Sequence, residues 1–226
     1  ALANNADIVF AASPLLADRL SPCSSNIAQL PNGVNYPMFS GEGGSIQSDP
    51  LPQVHGPVLG WAGVIHRELD LSPILYAARE RPGWTFLLLG RQEDNPLLPR
   101  LRRQPNVALA GPCPLNEVPD WLFRCDVLLE LLREDRPDSD VISGRLYEYL
   151  STGKPIVSML WPEQVEIFPD VVYGAHDERE FLTLCQHALE EAPGFVSQRR
   201  QSYGAAAAWS LRAAAVSRIL DTAGLL

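Results

Sequence analysis

Residues 57–90 read PVLGWAGVIHRELDLSPILYAARERPGWTFLLLG, and their pattern decides the fold class. Two apolar runs, 57–63 and 85–90, each end in glycine and flank a segment, 69–81, whose apolar residues recur at helical spacing. An unbroken apolar run of this length is a strand buried on both faces, and a helix between two such strands is the crossover of a parallel sheet. The alternation continues with NVALAG (106–111), a helix over 115–124, DVLLELL (126–132), a polar loop, the helix ISGRLYEYLSTG (142–153) and KPIVSML (154–160). Helical stretches over 178–191 and 197–221 close the chain. The class is α/β, a doubly wound parallel sheet of Rossmann-like type. In such a sheet ligands bind beyond the carboxyl ends of the strands, so the loops after Trp61, Leu89, Ala110 and Leu131 are the ones to search.

Upstream lies a composition break. Residues 32–57, NGVNYPMFSGEGGSIQSDPLPQVHGP, are rich in Gly, Pro, Ser and Asn without periodicity, which reads as a linker or exposed loop. Residues 1–31 hold a β-α-β-like fragment: IVFAA (8–12), a helix over 14–20 opened by Pro14, and NIAQLP (26–31). The fragment is too small to fold alone and belongs with another domain. The expected division is 1–31 as the last segment of an N-terminal domain, 32–57 as linker, 58–205 as the ligand-binding domain, and 206–226 as a C-terminal helix packing back toward the N-terminal side.

The chain has 226 residues, 46% hydrophobic and 20% charged, enough to bury a sizeable core. A net charge of −9 and a pI near 4.9 argue against a general nucleic-acid or anionic-membrane binder, while leaving room for a local cationic pocket. No stretch approaches the roughly 18 apolar residues of a membrane span. The most apolar tract, AAAAWSLRAAAVSRIL, is interrupted by Arg212 and Arg218, and residues 1–7 lack the basic start of a secretory signal. Cys23, Cys113, Cys125 and Cys185 form no C-x-x-C pair, and His55, His66, His176 and His187 show no ligand spacing. The expectation is a reduced, cytoplasmic protein without a structural metal.

Two loops carry the chemistry. In GWAGVIHRELD, Gly60 and Gly63 let the backbone approach a ligand at the strand end, and His66 and Arg67 add cationic contacts; the alternative is a βα turn whose glycines serve packing only. In DSDVISGRLYEYLSTGKP, Ser143 can cap a helix whose first turn presents the amides of Gly144 and Arg145, and a helix N-terminus beside an arginine suits a diphosphate. Glu148, one turn on, can accept hydrogen bonds from sugar or ribose hydroxyls; the alternative is a solvent-facing helix residue. Gly153, Lys154 and Pro155 read as a helix stop. Glu134, Asp135, Asp138 and Asp140 lack the glycine spacing of a calcium loop and read as a solvated acidic loop. Trp209 reads as the anchor of a packed helix.

Several of these strings resemble a family. ADIVFAASPLLADRL…IAQLPNGVNYPMF is similar to the junction between the halves of GT-B glycosyltransferases, and PGWTFLLLG, NVALAGPCPLNEVPDWLFRCDVLLE and RLYEYLSTGKPIVS match successive phrases of the donor-binding half in order. The resemblance covers nearly the whole chain, and the YEYLxxGKPxV phrase is its most specific part. It points to the retaining, group 1 (family 4-like) glycosyltransferases, hexosyltransferases of polysaccharide biosynthesis among them.

The resemblance implies roles by position. Gly63 would lie beneath the donor diphosphate, and Pro112, Cys113 and Leu115 would border the base. Glu148 would bind the ribose, and Arg145 with Ser143 and Gly144 would face the phosphates. Asp140 and Glu148 stand at the spacing of the Glu-x7-Glu pattern of the retaining branch, with Asp140 shorter than the usual Glu, so Arg145 and Asp140 are the expected catalytic pair. Leu69 stands near where that branch has a lysine, with Arg67 the nearest substitute. The resemblance implies a nucleotide sugar donor, an acceptor of unknown kind, no cofactor and no metal. It also implies an acceptor-binding N-terminal half of which residues 1–31 are only the last segment, so that this chain alone would not transfer sugar. Two other readings stay open: a nucleotide-sugar epimerase of the same fold, and a non-catalytic nucleotide-sugar or protein-binding module.

Overall fold

The central strand of the molecule is β3 (Val58–Ala62), buried at every position. It hydrogen-bonds to β4 (Thr85–Leu89) on one side and β6 (Val127–Glu130) on the other. With β5 (Val107–Ala110), β7 (Ile156–Ser158) and β8 (Val172–Gly174) they form a six-stranded sheet, all parallel, in the order β5-β4-β3-β6-β7-β8. The sequence-based fold class is thus the observed one. This is a computed structural model describing residues 2–41, 54, 56–131, 140–159 and 167–225.

Alternation along the strands divides the core into two layers. Leu59, Trp61, Phe86, Leu88, Val127 and Leu129 point to the face covered by α3 (Ser72–Glu80), α4 (Leu98–Leu101) and α7 (Glu178–Leu189). Val58, Ala62, Leu87, Leu89 and Leu128 point to the other, covered by α2 (Tyr36–Phe39), α5 (Val118–Arg124) and α6 (Gly144–Thr152). Helix starts follow local chemistry. A proline sits in the first turn of α1 (Pro14–Leu20), α2, α3, α4 and α5, where its missing N–H has no intrahelical partner to lose. Ser143 caps α6 by accepting the Leu146 amide, and Gly153, left-handed at φ 74°, ends it, as GKP suggested. Residues 1–31 form the expected parallel pair, β1 (Val9–Ala11) with β2 (Ile27–Gln29).

Two expectations differ from the structure. Residues 32–40 are not exposed linker. Val34 and Phe39 are both buried, and Gly33 packs so tightly that a Cβ there would lie 2.7 Å from the Trp209 ring. Of the remaining linker, 42–53 and 55 lie outside the described residues. The single helix expected over 197–221 is two, α8 (Phe195–Ala206) and α9 (Trp209–Thr222). The break arises because Val34 inserts between them: its N–H donates to the Ala207 carbonyl at 3.0 Å and its carbonyl accepts the Trp209 amide at 3.0 Å. Among the described residues no helix is long and apolar enough to cross a membrane.

Candidate functional site

The sheet order reverses direction between β3 and β6, the place where sheets of this kind take ligands beyond the carboxyl ends of their strands. The two strands pair only at Leu59 and Gly60, so the last residues of each are free to meet side chains instead. The helix α6 supplies them. The Tyr149 hydroxyl accepts the Ala62 amide at 2.8 Å, and Arg145 Nη1 donates to the Ala62 carbonyl at 3.3 Å. Arg145 also forks onto the carboxylate of Glu130, the last residue of β6, with Nε to Oε2 at 2.8 Å and Nη2 to Oε1. Its guanidinium lies 5.0 Å from the centre of the Trp61 ring. Glu130 is wholly buried.

This cluster explains Gly63. A Cβ at that position would meet Arg145 Nη1 at 2.7 Å and the Trp61 ring at 2.9 Å. Gly60 has a different reason: a Cβ there would run into the buried Cys125 sulfur, so Gly60 serves packing, the alternative left open for this loop. Above the cluster lies the N-terminus of α6. The amides of Gly144 and Arg145 have no acceptor within the helix and carry the positive end of its dipole. Ser143 Oγ also lies 3.5 Å from Glu130 Oε1, tying the cap to the strand end.

Glu148 follows Arg145 by three residues on the same helix and is half-buried, and its side chain makes no hydrogen bond to any described residue. Burial pushes its carboxyl above the ordinary value; the Arg145 charge pulls it back in part, and Glu130 raises it further. For Arg145, burial works against the charge, but the Glu130 carboxylate outweighs it and holds the guanidinium firmly protonated. Burial likewise raises Tyr149, which stays neutral beside Arg145.

The remaining candidates spread outward. Pro112 and Leu115 are exposed and Cys113 half-buried in the loop after β5, two strands from β3. The carbonyl of His66 accepts the Asn95 side-chain amide at 2.9 Å, and Arg67 forms an exposed ion pair with Asp94 at 3.5 Å. Leu69 is buried in the core. Asp140 turns its carboxylate to the first turn of α1, where Oδ2 accepts the Leu15 amide at 2.8 Å. Glu134, Asp135 and Asp138 lie outside the described residues, and no group of three potential metal ligands occurs among those described. The structure therefore brings Gly63, Ser143, Gly144, Arg145 and Glu148 together and adds two residues the sequence reading missed, Glu130 and Tyr149. The signal for Glu130 was a lone acid inside the apolar run DVLLELL.

A family model described as "Glycosyl transferase-like" matches residues 67–216. A curated relative, "Putative teichuronic acid biosynthesis glycosyltransferase TuaH" of Bacillus subtilis (strain 168), is 30% identical over 177 residues, covering 76% of this chain and 44% of its own length. Among solved structures, Anabaena Alr3699/HepE in complex with UDP superposes with a TM-score of 0.77 at 15% identity, over 98% of this chain and 65% of that one. Sucrose-phosphate synthase from Thermosynechococcus elongatus gives a TM-score of 0.74 at 14% identity, over 98% and 59%. At such identities the two structures speak for the fold, that of GT-B glycosyltransferases. The chain spans less than half the length of the curated relative it matches.

Proposed function

This chain belongs to the glycosyl transferase-like family, and we propose that it supplies the donor-binding half of a glycosyltransferase that moves a hexosyl group from a nucleoside diphosphate sugar to an acceptor in polysaccharide assembly. The observation that carries the reading is what gathers where the strand order reverses, at the carboxyl ends of β3 and β6. There the capped N-terminus of α6, the Cβ-free edge at Gly63 and the half-buried Glu148, whose side chain hydrogen-bonds to no described residue, converge. A diphosphate on the α6 amides would gain from the helix dipole, and Gly63 would let it approach the backbone. Glu148 would accept hydrogen bonds from ribose hydroxyls. The loop at Pro112, Cys113 and Leu115 would border the base.

Catalysis in this arrangement is electrostatic. As the glycosidic bond to the donor breaks, negative charge grows on the leaving diphosphate, and fixed dipoles aimed at it stabilise that charge without reorganising. The α6 amides would do most of this, because the Arg145 charge is already shared with Glu130. A retaining outcome rests on Glu148 as the second member of the Glu-x7-Glu spacing. Asp140 in the first place is turned to α1.

Calorimetry with UDP, GDP and ADP in the presence of EDTA tests the reading. At least one of the three should bind, and Glu148→Gln should weaken it by about 1.5–3 kcal/mol, the worth of hydrogen bonds to a charged group. No heat from any of the three would overturn the donor site.

A further inference from the structure

Arg145 has two carboxylates within reach and uses one. Its fork is taken by Glu130, its Nη1 by the Ala62 carbonyl at 3.3 Å, and its flat face by Trp61 at 5.0 Å. Glu148 lies at i+3 on the same helix, the spacing at which acidic and basic side chains stand side by side and pair readily. Yet the Glu148 side chain makes no hydrogen bond to a described residue. The competition is settled by geometry. Glu130 is fixed at the end of a buried strand, is shut off from solvent, and offers both oxygens to a planar fork. Glu148, half-buried on α6, is left over.

We propose that Glu130 is a positioning residue: by holding the Arg145 fork against β3, it keeps the Glu148 carboxylate free for the ribose hydroxyls. The inference rests on the donor-site reading and deepens it, assigning the readiness of Glu148 to a strand residue that itself has no place against the ligand. Glu130→Gln would offer one acceptor oxygen where two were used and turn an amide donor toward a donor-only guanidinium. The fork would then swing to the neighbouring charge, Glu148.

The test reads ribose preference, the affinity for UDP, GDP or ADP divided by that for its 2′,3′-dideoxy analogue. In the unaltered chain the ratio should be roughly ten- to a hundredfold, the worth of charge-assisted hydrogen bonds to the hydroxyls. Glu130→Gln should bring it close to one. Adding Arg145→Ala to that variant should restore the preference, since nothing then covers Glu148, even though total affinity falls. A Glu130→Gln chain with full preference, or a double variant that fails to regain it, would overturn the proposal, and a merely structural role for Glu130 predicts no such rescue. Should Glu130→Gln not fold, Glu130→Asp keeps the charge on a shorter arm and should give an intermediate ratio; full preference there overturns the proposal as well. A crystal structure of Glu130→Gln without nucleotide separates this idea from the donor reading. A guanidinium moved onto Glu148 is expected, and one still seated on Ala62 and Trp61 defeats the positioning role even if nucleotides bind.

Discussion

Asp140 accepts the backbone N–H of Leu15 at 2.8 Å across 125 residues of sequence. Two residues later, the Ile142 carbonyl accepts the Asn32 side-chain amide at 2.7 Å. The approach to α6 is therefore held from outside the six-stranded sheet, by α1 of the fragment that carries β1 and β2 and by Asn32 just after it. A carboxylate at the first turn of a helix also meets the positive end of its dipole. Asp140→Ala should lower stability by about 1 kcal/mol, the usual loss on deleting such a contact. Chemical denaturation measures it, and an unchanged midpoint would remove the latch.

Gly63→Ala should disturb the site directly. The added methyl would lie 2.7 Å from Arg145 Nη1 and 2.9 Å from the Trp61 ring, both held in place by other contacts. Overpacking of this kind costs about 1–3 kcal/mol. The expected outcome is a lower melting temperature together with weaker nucleoside diphosphate binding. A variant as stable as the parent and equally competent to bind would show that the edge yields.

Arg145→Ala should be costlier than an active-site substitution on a surface would be. It strands Glu130, wholly buried, without a counter-ion, and breaking a buried pair from one side costs about 3–5 kcal/mol. Replacing both, as Glu130→Leu with Arg145→Met, should recover most of that loss. Because the pair is electrically neutral, raising salt should change diphosphate affinity little in the parent chain. A steep salt dependence would mean that the guanidinium acts unpaired.

A second buried pair predicts the acid limb of stability. Arg200, fully buried, donates to Glu191 through both terminal nitrogens at 2.5 and 2.6 Å, and the Tyr173 hydroxyl donates to Glu191 at 2.6 Å. Burial alone would raise the Glu191 carboxyl, but Arg200 and Tyr173 more than reverse this and hold it below its ordinary value. A carboxyl depressed in the folded state adds stability that is complete above its unfolded value, about 4.3, and is lost as pH falls through the lower folded value. Stability measured between about pH 5 and pH 2 should fall less steeply in Glu191→Gln than in the parent, from a lower starting point. Parallel curves would refute the linkage.

The strands were legible where burial leaves no choice of residue: TFLLLG and the VLLE of β6 read as apolar runs because helices cover both faces. β8 was missed because it is three residues long and only partly buried at the sheet edge. The break between α8 and α9 could not be read at all. Alanine favours helix on both sides of it, and what stops the helix is Val34, some 170 residues away in sequence. The site divides the same way. Ser143, Gly63 and Glu148 stood in local patterns of turn and cap. Glu130 stood in a strand, and its meaning comes from a partner one helix further on.

The central place of β3 also governs how the chain comes into being. Its second neighbour in the sheet begins beside Asp126, whose carboxylate accepts the Val58 amide from 68 residues away. A ribosome adding 5–20 residues per second makes those residues in roughly 3–14 s. For that interval the flank of β3 that β6 will take stays open, while β4 and β5 are still being added on the other side, and its unpaired amides and carbonyls are available to any other extended chain. Crowded nascent chains would find each other there before β6 arrives, so yield on expression should depend on synthesis rate and on holdase chaperones more than on the stability of the finished protein.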